Sequence, residues 1–544
     1  MICRTLAGLV GLALGAAGCS PSDPGGAGPG AGGVAGGAGT AGVPSGGTGA
    51  AGGTALPSGG PGGGGGVAGT GGAAGGAGGG GNGGSGTAGV AGQSCIPVPS
   101  PPTPSPPSTS SCGDGVRDPL TEECDDSNAD DADSCTSSCD VRDLLAVVPV
   151  QPPPAKPPKG RRLGDGRHPV AAGIPGSAVA FVDESTFVLG LSIFGPTGTR
   201  TATLASISPQ ASSLQAANPV VAALSCGGYA VAWTDIGADG DEQGIAIAKV
   251  DDTGTTVSPI SHANKSTAFS QHDPDILRIP SGVVVAWVDE SDPATSPDLR
   301  YIVLSDALTP GGESVLSATG DSEGNISLAS FSGSWAAAWR AGQGDTEAVV
   351  VRSMGATPTT WTVDMLTPGP ADDRPALLEL DATHLFVFFT EGYDPDGSGV
   401  PNGSLARGRV LTTGSTTPVA CDPPPFGMLD VSHPAAVSSG TRNYLAWRSS
   451  AEPGMVAGED TWLAEITWDA SSPCPVFLPA IPLPRVASHA NGDQRHPALA
   501  ASPLYPGGAI SAAWEDFGGT LAGAGSVDVA FELVPTPVLR KAGL

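Results

Sequence analysis

The chain has 544 residues, with 53 acidic side chains against 24 basic ones and a net charge of −29 at pH 7. That balance excludes a nucleic-acid function, because a phosphate backbone is held by a basic surface that displaces its counterions. The 84 glycines are concentrated in the first hundred residues, which excludes one uniformly folded body and divides the chain into parts of different physical character.

Arg4, the apolar run Leu6 to Ala17 and the small residues Ala16-Ala17-Gly18 have the layout of a secretory signal peptide. A permanent membrane span needs ~20 apolar residues, and this run is shorter. The small residues before Cys19 resemble a bacterial lipobox, although Ala16 stands where such boxes usually carry leucine. The resemblance implies a signal peptide over residues 1–18 and acylation of Cys19. Ser20 follows the cysteine, which by resemblance to Gram-negative lipoproteins implies the outer membrane or cell surface, with the lipid as anchor. An ordinary signal peptide with an incidental cysteine is the alternative.

Residues 19–94 are mostly Gly and Ala, and from Pro24 to Gln93 no charged residue interrupts them. Such a segment buries too little apolar surface to offset its conformational entropy, so a disordered tether is expected. A Gly-rich coil of roughly seventy residues reaches about 45 Å. Residues 95–111 form a proline-rich spacer that favours polyproline II, and residues 143–164 form a second proline-rich linker.

Between them lies a cysteine module, 112–142, with Cys112, Cys124, Cys135 and Cys139. Four cysteines allow three pairings, and two bridges would staple a unit with almost no core. The run Cys112-Gly113-Asp114-Gly115, then Glu122-Glu123-Cys124-Asp125-Asp126, Asn128 and Cys135 to Cys139, resembles the cysteine-rich repeat of myxobacterial surface proteins. Ser127 departs from the glycine usual there. Zinc is disfavoured by the missing C-x₂-C spacing. Its acidic side chains offer calcium ligands, though a solvated acidic surface is the simpler reading.

From 165 to 544 a degenerate repeat organises the chain. Copies open on Arg167-His168-Pro169, Asn218-Pro219, Asp273-Pro274, Asn325-Ile326, Arg374-Pro375, His433-Pro434 and Arg495-His496-Pro497. Each then runs through an apolar strand, a small turn and a second apolar strand ending on an aromatic: Phe181, Trp233, Trp287, Trp339, Phe389, Trp447 and Trp514. Runs such as Val283-Val284-Val285-Ala286-Trp287 are apolar on both faces, so they are expected as strands buried on both sides. Two more strands complete each unit. Seven units of four strands predict an all-β fold, a seven-bladed β-propeller, over a tandem array of sandwiches.

Chemistry is sparse. Asp183, Asp235, Asp289 and Asp516 recur two residues past the aromatics, either as carboxylates around one mouth or, more simply, as caps of their own turns. Asp235, Asp239 and Asp241 alternate beside glycine and make a candidate calcium loop, as do Asp394 and Asp396, without matching the twelve-residue hand. Asp252-Thr253-Gly254-Thr255-Thr256 resembles part of the sialidase Asp box, but Val250 and Val257 replace its leading Ser and closing Trp. That family also needs an arginine trio and a tyrosine nucleophile, and no assembled set is legible. The seven histidines include no i, i+4 metal pair, and there is no nucleophile elbow or P-loop. Cys421 and Cys474, near the outer strands of successive copies, are a candidate bridge if their Cα atoms come within 4.4–6.8 Å. The expected function is therefore non-catalytic: a surface lipoprotein whose propeller binds a protein or glycan, with no catalytic residues and no cofactor beyond the candidate calcium. The alternative is a hydrolase or lyase acting on extracellular polysaccharide, with its site in the central funnel.

Overall fold

Short β-branched and aromatic runs bounded by Gly, Ser and Asp turns favour paired strands that neighbours must cover on both faces. The computed structural model describes residues 148–149, 161–162 and, with gaps in the longer loops, 177–535. All of them lie in the second of two units, Thr87–Leu544. The expected signal peptide, tether, spacer and cysteine module, with Cys19, Cys112, Cys124, Cys135 and Cys139, lie outside the described residues.

Seven antiparallel sheets form seven blades. Blade 1 holds β2 (Arg161–Arg162), β3 (Ser177–Asp183), β4 (Val188–Phe194) and β5 (Arg200–Leu204). Blade 2 holds β6 (Gln215–Ala223), β7 (Tyr229–Ile236), β8 (Gln243–Val250) and β9 (Ser261–His262). Blade 3 holds β10 (Gln271–Ile279), β11 (Gly282–Asp289), β12 (Asp298–Leu304) and β13 (Pro310–Ser317). Blade 4 holds β14 (Glu323–Phe331), β15 (Ser334–Ala341), β16 (Ala348–Ser353) and β17 (Thr360–Met365). Blade 5 holds β18 (Ala376–Asp381), β19 (His384–Tyr393), β20 (Gly403–Thr412) and β21 (Val419–Ala420). Blade 6 holds β22 (Ser432–Ser439), β23 (Arg442–Ser449), β24 (Asp460–Thr467) and β25 (Val476–Phe477), and β26 (Ile481–Leu483) also pairs with β24. Blade 7 holds β27 (Gln494–Ser502), β28 (Ala509–Asp516) and β29 (Asp528–Pro535), and its outer strand is β1 (Val148–Pro149).

The seven aromatics singled out in the sequence each fill a different interface. Trp233 lies in the apolar cluster between blades 1 and 2, Trp287 between 2 and 3, Trp339 between 3 and 4, and Phe389 between 4 and 5. Trp447 lies between 5 and 6, Trp514 between 6 and 7, and Phe181 between 7 and 1, where Phe194 stacks on Phe531 with centroids 3.8 Å apart. The seventh interface closes the ring, which a row of sandwiches would not do. Each blade covers its neighbour's apolar face, so the second strands β7, β11 and β28 are buried almost throughout. Opposite two aromatics the partner strand carries glycine. A Cβ on Gly190 would come within 2.4 Å of the Phe181 ring, and one on Gly408 within 2.7 Å of Phe386.

The propeller begins earlier than expected. Val148–Pro149 and Arg161–Arg162 fall in the stretch 143–164 read as a linker, yet β1 pairs with Phe531 and Ala530, and β2 pairs with Val182 and Asp183. Pro149 is tolerated because β1 is an edge strand, where a missing N–H breaks no central ladder. Arg167-His168-Pro169, the expected opening of blade 1, lies outside the described residues.

Cys421 and Cys474 are joined, with Cα atoms 5.3 Å apart, and tie blade 5 to blade 6. The two-residue β21 ends just before Cys421, which frees that residue to meet the β24–β25 turn. Cys226, in the β6–β7 turn, is disulfide-bonded as well.

Candidate functional site

In blades 2 to 7 the first strand in sequence lies nearest the axis, since β6, β10, β14, β18, β22 and β27 contact one another in succession. Five of these strands break register at one place: between Ala217 and Val220, His272 and Asp275, Gly324 and Ser327, Ser432 and Ala435, and Arg495 and Ala498. Inside each break one residue adopts the left-handed backbone: Asn218 (φ 47°), Asp273 (51°), Asn325 (55°), His433 (51°) and His496 (51°). Asn, Asp and His are the non-glycine types that tolerate this region best. Proline follows four of the five, and a bulge suits it because the extra residue leaves the ladder without needing its N–H. A bulge also re-aims its side chain. In blade 5 the matching position is Arg374, before Pro375 and the start of β18.

Five inner strands and the residue two positions before β18 thus contribute an axial ring of Asn218, Asp273, Asn325, Arg374, His433 and His496. Asn218 Nδ2 donates to Asp273 Oδ1 across the blade 2–blade 3 interface. The Asp273 N–H donates to Thr234 Oγ1 at 3.1 Å, which fixes the bulge in place. His272 Nδ1 lies 3.0 Å from Asp273 Oδ2, and its Nε2 lies 3.6 Å from Glu290. Burial opposes charge on His272, but the two carboxylates outweigh it and raise its pKa above the usual histidine value. His433 and His496 meet edge to face at 4.0 Å, and His496 Nδ1 lies 2.7 Å from the buried Glu515. Arg374 reaches from blade 5 past blade 4 to blade 3, where its terminal nitrogens donate to the carbonyls of Pro274 and Asp273, each at 3.3 Å.

The residues singled out in the sequence fare differently. Asp235, Asp289 and Asp516 are buried, so their carboxylates do not form an open ring at a mouth. Asp289 accepts from the Ser291 N–H at 3.2 Å and the Ser291 hydroxyl at 2.7 Å and pairs with Arg300, as a residue that caps its own turn does. The side chain of Asp183 lies outside the described residues, as do Asp239, Asp241, Asp394 and Asp396. Among the described residues no group of three or more His, Cys, Asp or Glu is placed to hold a metal ion.

In the segment resembling an Asp box, Asp251 binds the Thr253 and Thr255 N–H groups at 2.9 and 2.8 Å, while Asp252 accepts from Gly228 N at 2.9 Å. Gly254 turns the chain at φ 82°. This is a capped turn between third and fourth strands. Tyr229 is buried beside Asp252, and burial followed by that charge pushes its phenol well above the normal range.

In the sequence the ring positions are legible only as blade openings. The signal that would have found the ring is chemical: the openings are Asn, Asp or His before proline, the pattern of residues that accept a left-handed bulge.

No protein-family model matches the chain, and no curated protein does. Solved structures that it resembles include a protein of unknown function from Dyadobacter fermentans, at 11% identity and TM-score 0.37, covering 59% of this chain and 95% of that one. The Trypanosoma rangeli sialidase matches at 11% identity and TM-score 0.35 over 60% of this chain and 55% of that one. The Cellvibrio cellulosa α-L-arabinanase matches at 10% identity and TM-score 0.27 over 48% of this chain and 94% of that one.

Proposed function

We propose that this chain is a non-catalytic cell-surface lipoprotein, anchored through an acylated Cys19, that offers the axial ring of its propeller to a glycan. The make-up of the ring supports this reading. Two amides, two imidazoles, one guanidinium and one carboxylate stand at corresponding positions of six blades. Planar donors and acceptors of this kind suit a hydroxyl-rich ligand.

Most glycoside hydrolases use two carboxyl groups flanking the scissile bond, about 5–9.5 Å apart. Among the six ring positions Asp273 alone is a carboxylate, and Asn218 and His272 already engage it. The raised Tyr229 phenol is equally unsuited to act as a nucleophile.

The test is a glycan array probed with the full chain carrying Cys19→Ser. Binding to a defined glycan set, weakened by Asn325→Ala and without release of shorter products, is the expected result. Cleavage of the bound glycan would establish the hydrolase or lyase reading instead. Cys19→Ser should also move the protein from the membrane fraction to the soluble one, and its retention there would remove the anchor from the account.

A further inference from the structure

Arg374 is an anomaly in this protein. It is only 4% exposed, although acidic side chains outnumber basic ones by 53 to 24. Yet among the described residues it forms no ion pair. Its two terminal nitrogens reach only backbone carbonyls, each at 3.3 Å, and its buried Nε has no hydrogen-bond partner. A buried guanidinium is normally compensated by a carboxylate, because removing the charge from water without a counter-charge is strongly unfavourable. The nearest ring carboxylate, Asp273, is turned to Asn218 and His272. Of the five N–H donors of a guanidinium, two are used by the carbonyls, and the Nε edge remains.

We infer that Arg374 is the core of an anion subsite among the inner strands, which takes the carboxylate of an acidic sugar, a hexuronate. This rests on the glycan reading above and narrows it. The planar edge formed by Nε–H and a remaining terminal N–H matches the two oxygens of a carboxylate. The repeat explains why a single cation suffices. At the other five ring positions a left-handed bulge selects Asn, Asp or His, whereas Arg374 precedes the paired part of β18 and escapes that restriction.

The experiment is calorimetric titration of the full chain with trigalacturonate, with galactotriose as the neutral match and sodium acetate as the bare anion. Trigalacturonate should bind at least ~10-fold more tightly than galactotriose. Arg374→Gln should lose at least ~10-fold of that affinity, as expected for a charge-assisted bidentate contact. Arg374→Lys keeps the charge but not the planar edge, so it should lie between the two. Thermal melting should show both variants folded. If Arg374→Gln does not fold, Arg374→Lys decides, and unchanged trigalacturonate binding by it would overturn the subsite. Equal binding of acidic and neutral trisaccharides would also overturn it, while leaving glycan binding intact. Arg374-dependent acetate binding with no saccharide bound would keep the anion site and defeat the glycan reading. If neither trigalacturonate nor acetate binds, the subsite does not exist.

Discussion

At the interfaces between blades one aromatic from each repeat does the same task, with Trp233, Trp287, Trp339, Phe389, Trp447, Trp514 and Phe181 each closing one apolar cluster. Around the axis the same repeats place Asn218, Asp273, Asn325, Arg374, His433 and His496, with three charge types and no two adjacent positions alike except the histidines. Interface residues face an apolar neighbour whatever their blade, so the requirement on them is uniform. Ring residues lie on or beside the strands nearest the axis, where six blades meet and a single asymmetric ligand can be met by non-identical groups. In a repeat protein, then, repetition maintains the fold, and departures from repetition mark where function concentrates.

Substitutions can break that contrast. Trp287→Ala should be the most damaging, lowering unfolding free energy by ~3–5 kcal/mol in chemical denaturation, because it empties a fully buried interface. A smaller effect at Trp287 than at any ring residue would invert the comparison. Replacing Cys421 and Cys474 together by Ser should lower stability by ~2–4 kcal/mol, since the bridge closes a loop with a sequence separation of 53 residues. Asp275→Ala should cost ~1–3 kcal/mol. Its carboxylate, one residue past Pro274, is fully buried and accepts from the Leu328 N–H of blade 4 at 2.7 Å, a donor the mutation strands.

His433→Gly should change stability by less than ~1 kcal/mol, because relief of the left-handed backbone offsets the lost contact with His496. The smallest effect is the pH dependence of His272. Its pKa is raised in the folded state, so its contribution is full below the unfolded value near 6.5 and is lost as pH rises through the folded value. The difference in melting temperature between the wild type and His272→Gln should therefore shrink from mildly acid to alkaline pH. A difference that grew with pH would contradict the Asp273 and Glu290 contacts.

The interfaces were legible in the sequence because they depend on local pattern. An aromatic ending an apolar run about every 50 to 65 residues is visible without any tertiary knowledge. The two-residue strands β1 and β2 were not, since neither is long enough to show alternation and their pairing partners are set only when the ring closes. Arg374 was read as a blade opening like the rest. Its reach to the carbonyls of Asp273 and Pro274 skips a blade, and no spacing along the chain encodes that contact. The turn at Asp251 lay between these extremes. The Asp-Thr-Gly-Thr that resembles part of an Asp box begins at Asp252, whereas the carboxylate that caps the turn is that of Asp251, one residue earlier.

The seam in blade 7 also sets a timetable. Val148 pairs with Phe531, so the outermost strand of the last sheet comes from the beginning of the propeller and its partner β29 from near the end. A chain emerging N-terminus first holds β1 unpaired while six blades form. Only when Asp528–Pro535 arrives can the edge be covered and the circle completed. Maturation of the propeller is thus a single terminal event, and a chain cut short before β29 would present both an open sheet edge and the uncovered apolar face of blade 1.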